Sequence, residues 1–272
     1  MTHPCRAPAA ARRWLRLLVV SLSVVTLTSC RSTARATVTA TQHTAAETEC
    51  RALLAAFFGP GGSARPATHY DSRMMKAWGK HQTIGALNPG LTYTTRVLHS
   101  SAARQVHAVR VTVERGSEDY YVYLAKDAHA GWRLSAVRRF APPVFLLELK
   151  HALAHKDTRT PKEEHTYQSL LLITTADAEL KKYMKDHLPT FERLLSAHRQ
   201  NRRQDVTALC EQLHLCGIAT DDGRIDFVIG GVLDHAVGFL YVPPGHKPPA
   251  LSASDYIYVE NAVGRWYVYR RI

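Results

Sequence analysis

Apolar and polar positions follow helical spacing in some stretches of this chain and strand alternation in others, and the two patterns occur twice in the same order. Helical spacing around residues 53–58 stops at Gly59, and four alternating runs follow between residues 91 and 140. Helical spacing then returns, and five alternating runs lead to the C-terminus. The predicted helices lie near residues 47–58, 69–78, 144–155, 164–173, 176–186, 189–199 and 203–213. The predicted strands lie near residues 91–99, 105–114, 119–126, 131–140, 214–219, 224–230, 236–242, 255–260 and 265–270.

This order predicts an α+β fold with two modules, each made of helices followed by an antiparallel β-meander curved over them. Each module ends with a similar segment. In both segments Asp-Tyr begins a strand, a turn with a glycine follows, and the last strand contains a tryptophan and ends near an Arg-Arg pair. We expect the tryptophans, Trp132 and Trp266, to lie in two separate hydrophobic cores. The element order and the closing strand "GWRLSAV" resemble the ketosteroid-isomerase-like cone fold of many exported bacterial domains. The resemblance implies a curved sheet over helices, and no catalytic pattern of that family can be placed on this sequence.

The first residues have the pattern of an export signal. Residues 1–16 contain four arginines and no acidic residue, and residues 17–28 are apolar apart from serine and threonine. The apolar part would rise only about 18 Å as a helix, which is too short for a hydrocarbon core of about 30 Å. A basic start, a short apolar centre and small residues before a break predict a secretory signal over residues 1–29.

The end of the apolar run is more specific, because Leu27-Thr28-Ser29-Cys30 resembles the lipobox of bacterial lipoproteins. The resemblance implies diacylglycerol on the Cys30 sulfur, cleavage before Cys30 and, in many bacteria, a further acyl chain such as palmitate on the new amino terminus. Several acyl chains anchor a protein firmly, since each buried methylene contributes about 0.8 kcal/mol. Arg31 stands where an Asp marks inner-membrane retention in many double-membraned bacteria, so the resemblance implies the outer membrane where a host has one. An ordinary cleaved signal or a short retained anchor is the alternative.

After Cys30 the chain is mainly polar up to residue 46 and consists mostly of Arg, Ser, Thr, Ala, Gln and His. Such a segment cannot bury enough apolar surface to order itself, so we predict a disordered tether. The predicted location is the extracytoplasmic face of the cell membrane or outer membrane. The predicted organisation is a signal peptide at residues 1–29, a lipidated tether at 30–46, an N-terminal module at 47–141, a helix and linker at 142–163, and a C-terminal module at 164–272.

The net charge and the distribution of basic residues bear on which classes of partner this protein binds. The formal net charge is +12, from 35 Lys and Arg against 23 Asp and Glu, and loss of the four leader arginines leaves 31 against 23, or +8. The basic residues are scattered, with pairs at Arg138-Arg139, Lys181-Lys182, Arg202-Arg203 and Arg270-Arg271. No Gly-rich or aromatic-interleaved arm accompanies them, so we predict no nucleic-acid partner. We expect the pairs to be solvated surface that is attracted to anionic lipid headgroups.

Three cysteines remain after the leader and Cys30. Cys210 and Cys216 lie where a predicted helix meets a strand, and in an oxidising compartment we predict a disulfide between them. Cys50 is the alternative partner of either. The spacing is not that of a zinc knuckle and a second pair is missing, so we predict neither a metal site nor a catalytic thiol here.

Candidate catalytic groups do not converge on a known arrangement. His151 and His155 share a helical face with Glu148, but the order is not His-Glu-x-x-His, so we predict a solvated face and no metal site. Asp234 and His235 are adjacent, and neighbours on a strand point to opposite sides, so they predict a hairpin turn and not a catalytic dyad. The chain contains no Gly-x-Ser-x-Gly elbow and no phosphate-binding glycine loop, and we predict no catalytic residue and no cofactor.

Aromatic residues near the C-terminus form the predicted binding surface. Tyr256 and Tyr258 share one face of their strand, and Tyr267 and Tyr269 share one face of the next. These rings form either core or, where a face is open, a platform for a sugar or peptide. We therefore predict a non-enzymatic module that binds or scaffolds a protein, peptide or glycan of the envelope. The alternative is an envelope hydrolase or isomerase whose site lies inside one of the α+β cones.

The lipobox generates a testable prediction. Replacing Cys30 with Ser removes the sulfur that carries diacylglycerol, so we expect an unprocessed precursor and no labelling by a fatty-acid analogue. Mass spectrometry of the membrane fraction measures both. Cys5→Ser, which removes the cysteine inside the leader, is the matched control and should be processed and labelled normally. Wild-type processing and labelling of Cys30→Ser would contradict the lipoprotein prediction.

Overall fold

The structure is a computed structural model that describes residues 32–59, 69–78, 91–113, 116–232 and 235–272. The predicted signal peptide and Cys30 lie outside the described residues. Contacts divide the chain into a unit of residues 1–41 and a compact unit of residues 42–272. Within the described ranges, no helix is both long enough and apolar enough to cross a bilayer.

Helices and two antiparallel sheets follow one another as predicted, which confirms the α+β fold class. The described helices are α1 (Ser32–Phe58), α2 (Ser72–Trp78), α3 (Val144–Ala154), α4 (Pro161–Ile173), α5 (Asp177–Asp186), α6 (Leu188–Arg199) and α7 (Arg203–Gln212). The described strands are β1 (Thr92–Ser100), β2 (Arg104–Val113), β3 (Gly116–Asp127), β4 (Gly131–Arg139), β5 (Gly217–Asp221), β6 (Arg224–Val232), β7 (His235–Tyr241), β8 (Tyr256–Val263) and β9 (Trp266–Arg271).

The first helix is longer than the sequence predicted. α1 begins at Ser32, inside the segment 30–46 for which we predicted a disordered tether. This segment contains neither Gly nor Pro, and a helix that is nucleated by its packed residues extends into such a sequence at little cost. The prediction of a tether over residues 30–46 stays a prediction.

The first sheet is the predicted meander, with strand order β1-β2-β3-β4. One of its faces packs against α1, because Leu54, Phe57 and Phe58 recur at helical spacing and join Val109 and Val122 in one hydrophobic cluster. Neighbouring residues on the same strands point to the opposite face, since side chains alternate along a strand. That opposite face is also covered, so the central strands of this sheet are buried on both sides.

The second sheet departs from the predicted meander. Its strand order is β5-β6-β7-β9-β8, so β7 pairs with β9 and β8 forms an edge. The cause is the segment 242–255 between β7 and β8. It is long enough for β8 to begin one strand position away from β7, and β9 then fills the position between them. The inner face packs against α5 and α6, where Phe191 contacts the rings of Phe227, Phe239 and Trp266. Helix side chains therefore fill this face.

The two closing segments that resemble each other in sequence also share a hairpin contact. In the first sheet Tyr120 pairs with Arg139 across the strands, and the guanidinium lies 5.9 Å from the ring centroid. In the second sheet Tyr256 pairs with Arg271 in the same way, at 5.2 Å. Each of these arginines also pairs with a carboxylate, at 2.9 Å and 2.6 Å. The repeated tyrosine and the second arginine of each Arg-Arg pair thus make equivalent contacts in both sheets, whereas the repeated aspartates do not, since Asp255 pairs with Arg271 but Asp119 pairs with Arg110.

The outer face of the first sheet packs against the second half of the chain. Tyr121 stacks on Tyr258 with ring centroids 5.2 Å apart, and the Tyr123 hydroxyl donates to the Ile257 carbonyl at 3.0 Å. These tyrosines belong to one hydrophobic cluster, which also contains the buried side chains of α5 and α6. The predicted domain bounds stay a prediction, but a shared cluster indicates that the two halves unfold together.

The predicted linker, residues 142–163, is an ordered part of the fold. It contains α3 and the start of α4, which begins with a capping box. The Glu163 N–H donates to the Thr160 hydroxyl, and the Thr160 N–H donates to the Glu163 carboxylate. Lys156 pairs with the same carboxylate at 2.6 Å. Exposed ion pairs contribute little energy, but the capping box defines where α4 begins.

The shared cluster predicts a single unfolding transition. Trp132 and Trp266 are 3% and 2% exposed, and they lie in separate clusters as the sequence predicted, Trp132 with the side chains of α1 and Trp266 in the shared cluster. Both clusters include side chains of the first sheet, so loss of either should destabilise the same unit. Truncating a buried aromatic residue costs about 3–5 kcal/mol. Trp132→Ala and Trp266→Ala should therefore each lower the midpoint of one common transition, measured by calorimetry and by circular dichroism.

His129→Ala is the control for these variants, because His129 is an exposed turn residue. Its midpoint should stay close to that of the wild type, since surface substitutions usually change stability by less than about 0.5 kcal/mol. Two separate transitions, of which each tryptophan variant lowers only one, would show that the modules fold independently, as the sequence alone predicted.

Candidate functional site

Helix α3 carries most of the large apolar side chains that the described part of the chain leaves exposed. Val144, Phe145, Leu147 and Leu149 are 69%, 53%, 42% and 40% exposed. These four side chains are named the α3 surface. The helix has apolar residues on more than one side, so packing of one side against the protein leaves others in contact with water.

The buried side of α3 rests on α4. Leu153 is buried, Leu146 packs against the shared cluster, and the Lys150 ammonium donates to the Thr174 hydroxyl at 2.8 Å. Residues three or four apart lie on the same side of a helix, which is why these three face inward together. Exposed apolar side chains that are concentrated on one element are candidates for an interaction site. The α3 surface is therefore the candidate functional site.

A groove of about 400 Å³ borders the α3 surface. Its walls are the start of α3, parts of β3 and β4, and the turn between α4 and α5. Val144 and Leu147 line it from α3, and Arg270 lines it from β9. Its polar rim is already paired, since Arg139 donates to Glu118 at 2.9 Å. A partner in this groove would meet apolar side chains beside neutralised charges.

A buried ion pair lies next to this groove and joins three parts of the fold. Asp177 at the start of α5 and Arg270 of β9 are 1% and 4% exposed. The Arg270 Nε and the Tyr121 hydroxyl both donate to the Asp177 carboxylate at 2.8 Å. The other two guanidinium nitrogens donate to the carbonyls of Ile173 and Thr175. The pair thereby ties the first sheet, the second sheet and the α4–α5 turn together.

Burial and neighbouring groups shift the pKa values of both members of this pair. Burial raises the pKa of Asp177, and the charge of Arg270 opposes that rise. Burial alone would lower the pKa of Arg270, but the neighbouring Tyr121 and Asp177 raise it above its usual range. The Asp177 N–H also donates to Asp119, which in turn pairs with Arg110 at 3.0 Å. The hydrogen bonds of this pair are therefore made within the fold.

Beneath α1, His107 and Gln105 are buried polar side chains of β2. His107 is 1% exposed, and its Nε2 lies 2.9 Å from the Gln105 Oε1. Burial lowers the pKa of His107 to about 4. General acid–base catalysis at neutral pH favours a pKa near the working pH, so this histidine is a poor catalytic group. It is a polar contact within the core.

On the outer face of the second sheet, Asp226 is 7% exposed, and one of its carboxylate oxygens has no hydrogen-bond partner among the described residues. Burial and the nearby Asp221 raise its pKa to about 6, against the charges of Arg224 and Arg271. A raised pKa marks candidate acids in active sites. This carboxyl lies beside buried tyrosines such as Tyr256, and no second titratable group with a matched role is placed against it among the described residues.

The structure places most of the predicted tyrosine surface in the core. Tyr256, Tyr258 and Tyr269 are 5%, 0% and 2% exposed, and Tyr267 is half-buried. The prediction that Tyr256 and Tyr258 share a face was wrong, because the register shifts between them. Tyr256 packs beside Tyr269 on the outer face, whereas Tyr258 joins the shared cluster. Strand alternation holds only where the ladder is regular, and a bulge reverses it.

Cys210 and Cys216 lie near each other but are not joined in the structure. The Leu215 N–H donates to the Cys210 carbonyl at 2.9 Å, a hydrogen bond that turns the chain back at the end of α7. Burial raises the pKa of Cys210 to about 11, with a contribution from Cys216, and a buried thiol of this kind is unreactive. Cys50 lies in the separate cluster beneath α1. The disulfide stays a prediction for the oxidised protein.

The remaining candidates from the sequence do not form a catalytic group. His151 and His155 are exposed on the last turn of α3 and at its end. His235 begins β7 after the β6–β7 hairpin, and Asp234 lies outside the described residues. In the ranges that the structure describes, no three His, Cys, Asp or Glu side chains are grouped so as to hold a metal ion.

The sequence missed the Asp177–Arg270 pair. Arg270 belongs to a basic pair that we expected to be solvated, and the structure buries it. One signal was present, because two consecutive residues of a strand face opposite ways, and in a sheet with one covered face one of the two arginines must point toward that face. No local pattern identifies Asp177 as its partner, since the two residues are 93 positions apart.

Comparison with known proteins does not assign a family. No family model, curated protein or solved structure matches this chain. The resemblances to bacterial lipoproteins and to cone folds therefore stay predictions, and a functional conclusion depends on the leader sequence and on the α3 surface.

Asp226 generates a pH-dependent prediction. The folded protein holds the Asp226 proton up to about pH 6, whereas an unfolded chain releases it near pH 4. The folded state thus binds more protons between these values, and the free energy of unfolding should fall as pH rises from about 4 to about 6. The loss is at most about 3 kcal/mol, because one pKa unit corresponds to about 1.4 kcal/mol.

Asp226→Asn removes this ionisation, so its urea midpoint should exceed that of the wild type at pH 8 and lie close to it at pH 4.5. Asp157→Asn changes an exposed carboxylate and should show no such pH-dependent difference. A difference between Asp226→Asn and the wild type that is the same at both pH values would contradict the prediction.

Proposed function

We propose that this chain is a lipid-anchored protein of the bacterial cell envelope whose α3 surface binds a protein or peptide partner without enzymatic chemistry. The observation that carries the proposal is the α3 surface, where large apolar side chains are exposed beside a groove of about 400 Å³. Covering apolar area gains roughly 25 cal/mol per Å². A helix face next to a groove suits an amphipathic helix or an extended peptide as the partner.

The interior supports a binding role over a hydrolase or isomerase. Helix side chains such as Phe57 and Phe191 fill the inner faces of both sheets, where a cone-shaped enzyme would need space for a substrate. The buried charges of Asp177 and Arg270 satisfy each other, and His107 is neutral in the core. An active site instead needs convergent groups around a space that a substrate can enter.

The partner class follows from the side chains that remain accessible. A glycan site would use open aromatic faces, and three of the four tyrosines predicted for such a platform are buried. The α3 surface is mainly aliphatic, with Phe145 as its aromatic member. Aliphatic and aromatic side chains of this kind fill the buried centres of protein interfaces. A protein or peptide is therefore favoured over a glycan.

The location in this proposal is based on the leader and Cys30. Several acyl chains would hold the protein at the membrane surface, and the excess of basic residues after the leader would add attraction to anionic headgroups. An anchor also raises the local concentration of the α3 surface for any partner in the same membrane. Modest affinity is then enough for a stable complex.

The experiment compares single variants in one capture assay from envelope extract. Phe145→Glu and Leu147→Glu place a charge on the α3 surface, and Met75→Glu places one on an exposed apolar residue of α2 as the matched control. The wild type and Met75→Glu should capture the same specific protein. Both α3 variants should lose it about tenfold or more, since central apolar contacts dominate interface energies.

Thermal midpoints of all four proteins show that each is folded. Equal capture by the four proteins, or capture of nothing above background, would reject the α3 surface as the binding site. Turnover of an envelope substrate by the purified chain would reject the non-enzymatic role.

A further inference from the structure

We propose that His151 and His155 together bind one divalent transition-metal ion, whereas their sequence spacing alone predicted a solvated face without a metal site. The two residues stand four positions apart at the end of α3, so both side chains leave the same side of the helix. Both are exposed, and their Nε2 atoms lie 3.2 Å apart. This site is independent of the proposed partner-binding function, because it uses histidines and not the apolar side chains of the α3 surface.

The separation of the two Nε2 atoms matches that of a chelate. Imidazole nitrogens bind zinc at about 2.0–2.1 Å, and a tetrahedral angle then places two of them about 3.3 Å apart. The observed 3.2 Å is close to this value. The ring centroids are 4.4 Å apart, with 58° between the ring planes. A metal ion at this bond length would lie to one side of the line between the two nitrogens and would displace the hydrogen of their present contact.

The surroundings favour a cation at this position. The histidines lie at the C-terminal end of α3, where the helix carries partial negative charge. Glu148 is exposed one turn before His151, on the same side of the helix. The nearest lysines along the chain are engaged elsewhere, since Lys150 donates to a threonine at the end of α4 and Lys156 to a glutamate of α4.

The donor atoms determine which ions this site accepts. Imidazole nitrogen suits Zn²⁺, Ni²⁺ and Cu²⁺, whereas Mg²⁺ and Ca²⁺ prefer oxygen ligands. The affinity should follow the usual order, with Cu²⁺ bound most tightly. Two protein ligands leave coordination positions for water, so the bound ion exchanges with solution, unlike the ion in a closed four-ligand structural site.

Calorimetric titration of the purified, untagged chain with Ni²⁺ and Zn²⁺ tests the proposal. The wild type should bind one ion at the histidine pair, and the ion should raise the thermal midpoint, because a ligand of the folded state stabilises it. His151→Ala and His155→Ala should each weaken metal binding by at least about tenfold. Removing a residue that only orients a metal ligand already weakens binding by about that factor, and removing the ligand itself should weaken it at least as much. Mg²⁺ should not bind.

His129→Ala is the matched control, because it removes an exposed histidine from the turn between β3 and β4. It should bind metal as the wild type does, and all variants should keep the wild-type midpoint without metal. Undiminished binding by either α3 variant would overturn the proposal. An equal loss in His129→Ala, or a wild type that binds no ion at millimolar concentration, would also overturn it.

Discussion

The buried pair of Asp177 and Arg270 constrains the rest of the fold. Removing two charges from water is costly, and the cost is offset only when the charges meet and their remaining hydrogen bonds are made. Here this requires Tyr121 of the first sheet, β9 of the second sheet and the carbonyls at the end of α4 to come together in one arrangement. A shift of either sheet would leave a buried charge without its partner. The pair therefore specifies how the sheets meet more than it adds to stability.

This arrangement determines which surfaces remain open. α1 fills one face of the first sheet, α5 and α6 fill the inner face of the second, and Tyr121 stacks on Tyr258 between the sheets. α3 follows the first sheet and packs against α4 on one side, so Phe145 and Leu147 stay in contact with water. Among the described residues, helix side chains thus fill the inner faces of both sheets, while part of α3 stays exposed.

Local patterns predicted the elements well because residues close in sequence set helical and strand periodicity. α3 was predicted at residues 144–155 and spans Val144–Ala154, and β6 was predicted at 224–230 and spans Arg224–Val232. The errors fall where distant contacts act. The order of β8 and β9 depends on which strand edge is free when the chain returns from the segment 242–255. The bulge between Tyr256 and Tyr258 likewise arises in the pairing with β9.

The sequence by itself determined the periodicity of the elements, the α+β class and the pattern of the leader, since each depends on residues within a few positions of one another. Tertiary structure alone decided that Arg270 is buried while Arg271 is exposed, that Tyr258 lies in the core, and that Phe145 faces solvent. Periodicity shows which residues share a face, but not what covers that face. Whether a charge or a ring is removed from water depends on partners far along the chain, such as Asp177 for Arg270, and burial of a charge is tolerated only after those partners are in place.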